Sequence, residues 1–482
     1  MTAEALTDAP AEKPAERSLR DTLDAMRAAH RREPPRAIQS RVGDLERLAA
    51  MVLRRQEDVV AAIESDFGHR SRHETLIADV FTTVQAARHA AAHVAQWAEP
   101  EARAVSWMFQ PGRAELRPQP LGVVGIIAPW NYPLTLALSP LVAALAAGDR
   151  AMLKPSEYTP ALGALLRELV ADCFADDHVS VVLGGPDVAA DFARLPFDHL
   201  VFTGSTNIGR KVMLAAAENL TPVTLELGGK SPVIVAPDAS LDRVATSVAH
   251  AKLFNAGQTC IAPDYVLVPE GKRDAFVDAV AREMTRMYPT LAANPDYSAV
   301  IDQRHLDRLR AHVDDARAKG AAVREVNPAG ESLDGTKKMA PAIIPGATRE
   351  MTCMGEELFG PVLPVIGYRD LDEAIDFVND LPRPLALYPF TDDPATLDRV
   401  LTRTTSGGVT VNDCLLHFAQ EDLPFGGVGP SGMGAYHGRE GFEALSRMKP
   451  VFYQSRVNGA GLLRPPYGAA VDTALRFLLP KK

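Results

Sequence analysis

Two hydrophobic periodicities divide the chain. Over residues 19–99 apolar positions recur at spacings of three and four, which predicts helices over 19–33, 41–68 and 74–99. From residue 121 the pattern changes to short β-type runs that alternate with helical segments. Because alternating strands and helices with short connections form parallel sheets, this region predicts a doubly wound α/β fold that binds ligands beyond the carboxyl ends of its strands.

A different pattern interrupts these regions at 100–118. Two stretches of alternating polar residues flank Pro111 and Gly112, which predicts a hairpin with its turn at this pair. Two isolated strands are only marginally stable, so we expect the hairpin to lie on a neighbouring surface. A second series of strands and helices begins near Leu227.

Composition and charge exclude several classes of protein. The chain has 482 residues, of which 46% are hydrophobic and 23% charged, values typical of a globular protein. Its net charge of -10 argues against a broad basic surface for nucleic acid. The amino-terminal residues lack the apolar core of a signal peptide, and prolines break the uncharged run 118–148. We therefore expect a cytoplasmic protein without membrane spans.

The four cysteines lie far apart in the sequence, which argues against a disulfide framework or a structural zinc site. Cys260 lies in FNAGQTC, just after a predicted helix and close to Gly257. A lone cysteine is usually a small buried hydrophobic residue. In a glycine-bearing loop, however, a thiol can also act as a nucleophile toward a carbonyl group.

Glu226 lies at the predicted carboxyl end of a strand, in TLELGGK. A carboxylate among apolar residues costs free energy unless it is paired or functional. Two interpretations follow: a structural ion pair with Lys230, or a general base with a raised pKa. Gly228 and Gly229 allow a ligand to approach the backbone closely.

The segment APWNYPL connects a predicted strand to a predicted helix. Asn131 is either a turn or capping residue or an amide that stabilises a developing oxyanion. Trp130 and Tyr132 either belong to the core or line an aromatic tunnel. His417 and Phe418 allow the same two interpretations.

No GxGxxG fingerprint occurs in the chain. The most similar turn is GSTNIG, from Gly204 to Gly209, which follows a strand and precedes a helix, as phosphate-binding turns do. Lys154 and Glu157 follow an earlier strand, where they suit either ribose hydroxyl groups or an ordinary helix start.

Together these motifs resemble the aldehyde dehydrogenase superfamily. PWNYP, LKPSE, FTGST, LELGGK, GQTC, EELFGP and PFGGVGPSGMG occur in the family's order and spacing. EELFGP holds Glu357 and Phe359, which alone would indicate only a turn. The residues around GQTC and PFGGVGPSGMG are most similar to the class 3 branch, and within it to bacterial enzymes that act on coniferaldehyde.

The resemblance implies a role for each candidate residue. Cys260 matches the catalytic nucleophile, Glu226 the general base and Asn131 the amide of the oxyanion hole. The positions that match cofactor contacts are Trp130, Lys154, Glu157, Gly204, Ser205, Leu227, Glu357 and Phe359. Tyr132 and His417 are the candidate substrate contacts, and no metal is implied.

The reaction implied by the resemblance is NAD(P)+-dependent oxidation of an aldehyde to a carboxylic acid, through a thiohemiacetal and a thioester on Cys260. Glu157 favours NAD+ by repelling a 2′-phosphate, while Lys154 would offset this repulsion. The expected substrate is an aromatic aldehyde such as coniferaldehyde, or a medium-chain aliphatic aldehyde. Two alternatives remain: a CoA-acylating dehydrogenase, against which Glu226 argues, and a catalytically silent scaffold of the same fold.

The resemblance also divides the chain. The expected units are a disordered lead-in (1–18), an NAD(P)-binding domain (19–99 and 119–226), a hairpin of an oligomerisation arm (100–118), a catalytic domain (227–412) and a segment that returns to the cofactor domain and ends in an oligomerisation segment (413–482). We expect a homodimer without nucleic-acid or membrane partners.

Overall fold

The computed structural model of the protein describes residues 17–479. Its helices are α1 Leu19–Arg32, α2 Ile38–Arg54, α3 Gln56–Phe67, α4 Arg72–Thr75, α5 Thr82–Trp97, α6 Thr135–Ala147, α7 Pro160–Cys173, α8 Pro186–Ala193, α9 Thr206–Ala217, α10 Leu241–Leu253, α11 Arg273–Met287, α12 Gln303–Ala318, α13 Leu371–Asn379, α14 Pro394–Arg403, α15 Gly438–Ala444 and α16 Ala469–Leu478. The predicted disordered lead-in over 1–18 lies outside the described residues, except for its last two.

The strands form three sheets. They are β1 Glu101–Arg103, β2 Arg113–Pro120, β3 Val123–Ile127, β4 Arg150–Lys154, β5 Val179–Val181, β6 His199–Thr203, β7 Val223–Glu226, β8 Pro232–Val235, β9 Tyr265–Pro269, β10 Arg324–Glu325, β11 Ala342–Pro345, β12 Val362–Tyr368, β13 Ala386–Phe390, β14 Gly408–Val409, β15 Gly432–Met433 and β16 Ser446–Tyr453.

The amino-terminal helices form where the spacing of apolar residues predicts them, with one difference. The segment 41–68 contains two helices, because the chain leaves helical geometry at Arg55 (φ -110°, ψ 21°), between α2 and α3. No proline or glycine marks this break in the sequence. The third predicted helix is continuous from α4, through a π-helical segment at Leu76–Phe81, into α5.

The first sheet has the strand order β15-β7-β6-β3-β4-β5. Its members are parallel except for β15, which is antiparallel to β7. β3, β4 and β6 are buried along their whole length, as expected for parallel strands with both faces covered. This confirms the predicted parallel α/β sheet. Thr203 and Glu226, the last residues of β6 and β7, are paired neighbours at one edge.

The second sheet has the order β10-β11-β12-β9-β8-β13-β14. It is parallel except for β10, which is antiparallel to β11. Cys260 lies in the connection from α10 to β9, and Glu357 lies in the connection from β11 to β12. Because β9 and β12 are adjacent, the fold brings these two distant segments together.

The third sheet has the order β1-β2-β16. The hairpin predicted over 100–118 forms, with Glu101 opposite Leu116. Its connection is longer than the predicted tight turn, because a short 3₁₀ helix at Trp107–Phe109 precedes Pro111 and Gly112. Residues 446–453 add a third strand, which sequence analysis did not predict.

The uncharged run 118–148 contains β3 and α6, and every residue of α6 is buried. Between residues 17 and 479, no helix combines the length and the apolar character needed to cross a membrane.

Candidate active site

A cavity of about 500 Å³ opens between the two large sheets. Nine of the predicted site residues line it: Trp130, Asn131, Gly204, Ser205, Glu226, Leu227, Cys260, Glu357 and Phe359. These residues come from segments separated by more than two hundred positions in the chain, so the fold brings the sequence motifs to one place.

The loop before Cys260 has an unusual backbone. Asn255, Ala256 and Gly257 have φ values of 53°, 51° and 76°, in the left-handed region. A Cβ atom at Gly257 would lie 2.4 Å from the carbonyl oxygen of Gly360, so this position requires glycine for space as well as conformation. Burial, followed by the Glu357 and Glu226 carboxyl groups, raises the pKa of the Cys260 thiol well above its usual range. These effects oppose ionisation of the thiol.

Gln258 holds this loop in place. Its side-chain amide donates hydrogen bonds to the carbonyl oxygens of Asn255 and Ala299, both at 2.9 Å. Its side-chain oxygen accepts a hydrogen bond from the N–H of Ile301 at 2.9 Å. Since Gln258 is fully buried, these bonds fix the backbone two residues before Cys260.

Both the side chain and the backbone of Asn131 form hydrogen bonds with the loop that precedes Cys260. Its Nδ2 atom donates to the carbonyl oxygen of Gln258 at 3.2 Å, and its own carbonyl oxygen accepts a hydrogen bond from Nδ2 of Asn255 at 3.0 Å. The amino-terminal cap of α6 is Leu134, so Asn131 does not cap this helix. The capping alternative is therefore wrong, and the side-chain amide lies at the cavity wall.

A buried arginine supports Asn131, and sequence analysis did not find it. Arg70 is 2% exposed, donates to the carbonyl oxygen of Asn131 at 2.9 Å, and lies 3.7 Å from carboxylate oxygens of both Glu74 and Asp79. Its guanidinium group stacks on the Tyr132 ring at 5.0 Å. The spacing of Arg70 and Glu74 was visible in the sequence, but a solvent-exposed helix face shows the same spacing.

Glu226 is isolated from other polar groups. It is 2% exposed, and neither carboxylate oxygen has a hydrogen-bond partner in the described part of the chain. Burial raises the pKa of Glu226 well above its usual value. The ion pair with Lys230 does not form, because Lys230 bonds instead to the Asp264 carboxylate and to the carbonyl oxygens of Cys353 (2.8 Å) and Glu356 (3.0 Å). The Glu226 carboxyl group is thus available for proton transfer.

Glu357 lies against the backbone of Gly228. A Cβ atom at Gly228 would lie 1.9 Å from Oε2 of Glu357, so only glycine leaves room for this carboxylate. Burial, and secondarily Asp264, raises the pKa of Glu357 to about 8, while a hydrogen bond from the N–H of Gly229 opposes the shift. Phe359 has a left-handed backbone (φ 50°), and its ring meets Trp130 edge-on at 5.3 Å.

The turn at Gly204 and Ser205 connects β6 to α9. The Ser205 side chain does not cap α9, so the first N–H groups of the helix remain available to a ligand. Lys154 and Glu157 lie outside the cavity lining. Lys154 is 1% exposed, and its Nζ atom donates to the carbonyl oxygen of Pro155 at 2.6 Å and lies 3.9 Å from Glu157.

The two candidate substrate contacts also lie outside the cavity lining. Tyr132 is buried, with its hydroxyl 2.5 Å from that of Thr259 and its ring stacked on Phe254 at 6.3 Å. His417 is buried, accepts or donates a hydrogen bond to the Thr410 hydroxyl at 2.8 Å, and stacks on Phe425.

A model described as the aldehyde dehydrogenase family matches residues 2–451. The chain belongs to this family. It is 49% identical over 471 residues to a probable coniferyl aldehyde dehydrogenase of Caulobacter vibrioides, covering 96% of this chain and 97% of that protein. It is 49% identical to the coniferyl aldehyde dehydrogenase of a Pseudomonas species, with 96% of each chain covered.

More distant relatives share the fold. Aldehyde dehydrogenase family 3 member A2 of Rattus norvegicus is 38% identical, covering 95% of this chain and 94% of that protein. The structure of Staphylococcus aureus AldH in its substrate-bound state has a TM-score of 0.90 at 33% identity, covering 96% of this chain and all of that one. A Mycobacterium tuberculosis aldehyde dehydrogenase complexed with NAD+ has a TM-score of 0.81 at 28% identity, with 91% and 89% covered.

These findings confirm the family resemblance, the α/β fold class and the NAD(P)-dependent oxidation of an aldehyde as the activity. They do not favour the CoA-acylating enzyme or the silent scaffold. Within residues 17–479 no group of three or more histidine, cysteine, aspartate or glutamate side chains is arranged to hold a metal ion.

Proposed function

We propose that this chain oxidises coniferaldehyde, or a closely similar aromatic aldehyde, to its carboxylic acid with NAD+. This proposal rests on the arrangement of Cys260, Asn131 and the isolated Glu226 around one cavity. The two relatives at 49% identity, both described as coniferyl aldehyde dehydrogenases, support the substrate class.

Cys260 forms the covalent intermediate. The thiol gives its proton to water, its sulfur attacks the aldehyde carbon to form a C–S bond, and the electron pair of the broken C=O π bond becomes an oxyanion. Asn131 stabilises this oxyanion together with the backbone N–H of Cys260. The Asn131 amide has two N–H donors, and only one is used in the bond to Gln258, so the other remains for the oxyanion.

The cavity fits a dinucleotide. The N–H groups at the start of α9, with Gly204 and Ser205, suit the pyrophosphate. Because Gly228 has no side chain, the Glu357 carboxylate has room beside it and can accept hydrogen bonds from ribose hydroxyl groups. Phe359 and Trp130 form an aromatic wall for the nicotinamide. NAD+ bound there would supply a positive charge and the acceptor for the hydride that leaves the thiohemiacetal carbon as the thioester forms.

Glu226 completes the reaction. With no hydrogen-bond partner in the described part of the chain, its carboxylate can accept a proton from a water molecule as the water attacks the thioester carbon. The C–S bond then breaks, the acid leaves, and the sulfur regains its proton.

We also propose a preference for NAD+ over NADP+. The ammonium group of Lys154 is buried against Pro155 and near Glu157, which leaves it poorly placed to neutralise a 2′-phosphate. Repulsion from Glu157 would then dominate. The ratio of kcat/KM with the two cofactors tests this preference.

The assembly we propose is a cytoplasmic homodimer joined through the sheet β1-β2-β16. Its surroundings expose apolar side chains, among them Trp107 at 69% and Phe452 at 48%, which monomers rarely leave in contact with water. The four free cysteines suit a reducing compartment. Analytical ultracentrifugation tests the dimer, and Trp107→Asp should shift the protein toward monomer.

The decisive experiment compares kcat/KM for coniferaldehyde, benzaldehyde and hexanal with NAD+, following NADH. Coniferaldehyde should be the best of the three. Cys260→Ala should abolish oxidation and retain NAD+ binding, measured by calorimetry, since the side chain that is removed serves the aldehyde. A higher kcat/KM for hexanal would refute the proposed substrate class, and full activity of Cys260→Ala would refute the mechanism.

A further inference from the structure

A second cavity, of about 260 Å³, lies beside β4 and β5 of the first sheet. Its lining comes from the end of α1, from α2, from the first residue of β4 and from the connection between α7 and β5. Three arginines line it: Arg36, Arg47 and Arg150. Among the described residues, it shares none of its lining with the cavity that holds Cys260. The second cavity is therefore a candidate site for a separate ligand.

Two of these arginines share one carboxylate. Asp44 is fully buried, and one of its carboxylate oxygens lies 2.6 Å from Nη2 of Arg36. The other oxygen forms an ion pair with Arg47, three residues further along α2. One carboxylate balances only one of the two guanidinium groups, so this group of three side chains carries one net positive charge. An unbalanced charge that is partly removed from water favours an anion as its partner.

The third arginine already has acidic partners. The Arg150 side chain is 6% exposed, forms an ion pair with Glu33, and donates a hydrogen bond to the backbone oxygen of Asp177. Its guanidinium group also lies 3.6 Å from the carboxylate of Asp177. The two carboxylates in the lining are thus occupied by Arg150, and the positive charge that an anion would meet belongs to Arg36 and Arg47.

Two buried nitrogen atoms at this cavity lack hydrogen-bond partners in the described part of the chain, Nε of Arg36 and Nε2 of His178. The His178 side chain is 7% exposed, and its Nε2 lies 4.0 Å from the Asp44 carboxylate, too far for a hydrogen bond. Burial, and secondarily the nearby arginines, lowers the pKa of His178 to about 3, so its imidazole is neutral. A neutral imidazole still donates one hydrogen bond, and a buried nitrogen without a partner gains one when a ligand supplies an acceptor.

Phe174 supports both of the groups that face the cavity. Its ring meets His178 edge-on at 5.7 Å, and the Arg47 guanidinium lies 5.8 Å from the centre of the same ring. Cys173 and Ala175, its neighbours in the chain, also line the cavity. The lining therefore combines fixed hydrogen-bond donors with an apolar surface, on which a small organic substituent can rest.

We propose that the second cavity binds a phosphate group, either as inorganic phosphate or as a small phosphate monoester, through Arg36, Arg47 and His178. Guanidinium groups bind phosphate with paired, charge-assisted hydrogen bonds. A phosphate group presents at least three oxygen atoms to these three side chains, whereas a carboxylate has only two. Bound phosphate connects the segment before α2, α2 itself and the connection from α7 to β5, so it stabilises the folded chain without contacting the reacting groups.

The test is a calorimetric titration of the enzyme saturated with NAD+, with inorganic phosphate and with methyl phosphate. The bound cofactor covers the N–H groups at the start of α9, which otherwise also attract phosphate. We expect one site per chain with a Kd below about 1 mM. Tighter binding of methyl phosphate would identify an ester as the ligand, and tighter binding of inorganic phosphate would identify the free ion. Acetate should bind more weakly than either.

Two variants remove different contacts of the proposed ligand. Arg47→Gln removes one positive charge and leaves Asp44 paired with Arg36, so the Kd for phosphate should rise by about tenfold or more. His178→Phe keeps an aromatic ring against Phe174 but removes Nε2, so the Kd should rise by about threefold or more. Neither variant should change kcat, because neither residue lines the cavity in which the aldehyde reacts.

Arg194→Gln is the matched control. The Arg194 side chain is 56% exposed and pairs with Asp191, three residues earlier, much as the 54% exposed Arg47 pairs with Asp44. This variant should keep the wild-type Kd for phosphate. Circular dichroism establishes that each variant is folded before its Kd is compared.

The proposal is overturned if neither phosphate compound shows saturable binding to the enzyme with NAD+ bound, or if acetate binds as tightly as they do. It is also overturned if folded Arg47→Gln and His178→Phe both keep the wild-type Kd. None of these results depends on the oxidation of an aldehyde, so the proposed function is tested separately.

Discussion

The guanidinium group of Arg70 donates a hydrogen bond of 2.9 Å to the backbone oxygen of Asn131, whose side chain we assign to the oxyanion. Arg70 also lies between the buried carboxylates of Glu74 and Asp79. Asp79 in turn accepts hydrogen bonds from the N–H groups of Leu134 and Thr135 at the start of α6. Arg70 thus positions Asn131 without touching the substrate.

Arg70→Met should therefore reduce kcat more than it weakens NAD+ binding. Misplacing one oxyanion donor costs about 10²–10³ in rate. The variant should also lose about 3–5 kcal/mol of stability, because two buried carboxylates lose their counter-charge. Arg70→Lys keeps the charge without the fork of donors, so it should recover stability more than kcat. If Arg70→Lys restored kcat and stability to the same extent, Arg70 would act on stability alone.

Glu226→Gln tests the isolated carboxylate. Glutamine preserves the size of the side chain but cannot accept the proton of water, so the thioester should accumulate. We expect one rapid burst of NADH per active site, followed by steady turnover that is slower by about 10²–10⁴. Stopped-flow absorbance measures both phases. Unchanged steady turnover would exclude Glu226 as the base, and Glu218→Gln, at an exposed position, is the control.

Cofactor affinity should rise with pH if Glu357 binds ribose hydroxyl groups. A carboxylate accepts these hydrogen bonds better than a carboxylic acid. Because the pKa of Glu357 is raised to about 8, the carboxylate fraction grows as pH rises through that value. From pH 7 to pH 9 the ionised fraction grows from about one-tenth to about nine-tenths, so the Kd for NAD+ should fall by up to about tenfold. Glu357→Gln should lose this pH dependence of the Kd for NAD+, which calorimetry measures. If the Kd changed equally with pH in both proteins, the assignment of Glu357 would be wrong.

Gly228→Ala should displace the Glu357 carboxylate. The added methyl group would lie 1.9 Å from Oε2, closer than any van der Waals contact allows. We expect the Kd for NAD+ to rise by about tenfold or more, which corresponds to about 1.4 kcal/mol. Gly271→Ala is the matched control, because no atom lies within 4 Å of its added Cβ. Equal Kd values for the two variants would show that the contact between Gly228 and Glu357 does not matter for cofactor binding.

Sequence patterns predicted the elements that depend on local periodicity. The strands β3, β4 and β6 of the first sheet contain short apolar runs, and the helices between them carry apolar residues at helical spacing, so the pattern was visible in the sequence. β15 was not predicted, because two residues of a glycine-rich loop have no periodicity, and they become a strand only by pairing with β7. The break at Arg55 was missed for a similar reason, since no local signal marks it.

The sequence predicted those site residues that belong to a recognisable motif, but not those whose role depends on a contact with a residue far away in the chain. Cys260, Glu226 and Asn131 were identified from their motifs. Arg70 was not identified, because its role depends on a hydrogen bond to Asn131, which lies 61 residues away in the chain. The open choice between a base and an ion pair at Glu226 required the position of Asp264, which takes the Lys230 ammonium group 34 residues further along.

The pairing of β16 with β2 decides how long one edge of β2 stays unpaired while the chain is synthesised. Tyr453 bonds to Glu115, 338 residues earlier, and β15 closes the edge of the first sheet almost as late. During translation, β2 and β7 must therefore wait with one edge unpaired until the last part of the chain emerges from the ribosome. Such edges invite association with other chains. A message truncated before codon 446 would leave the β2 edge open permanently, so it should yield an aggregation-prone protein rather than a weaker enzyme.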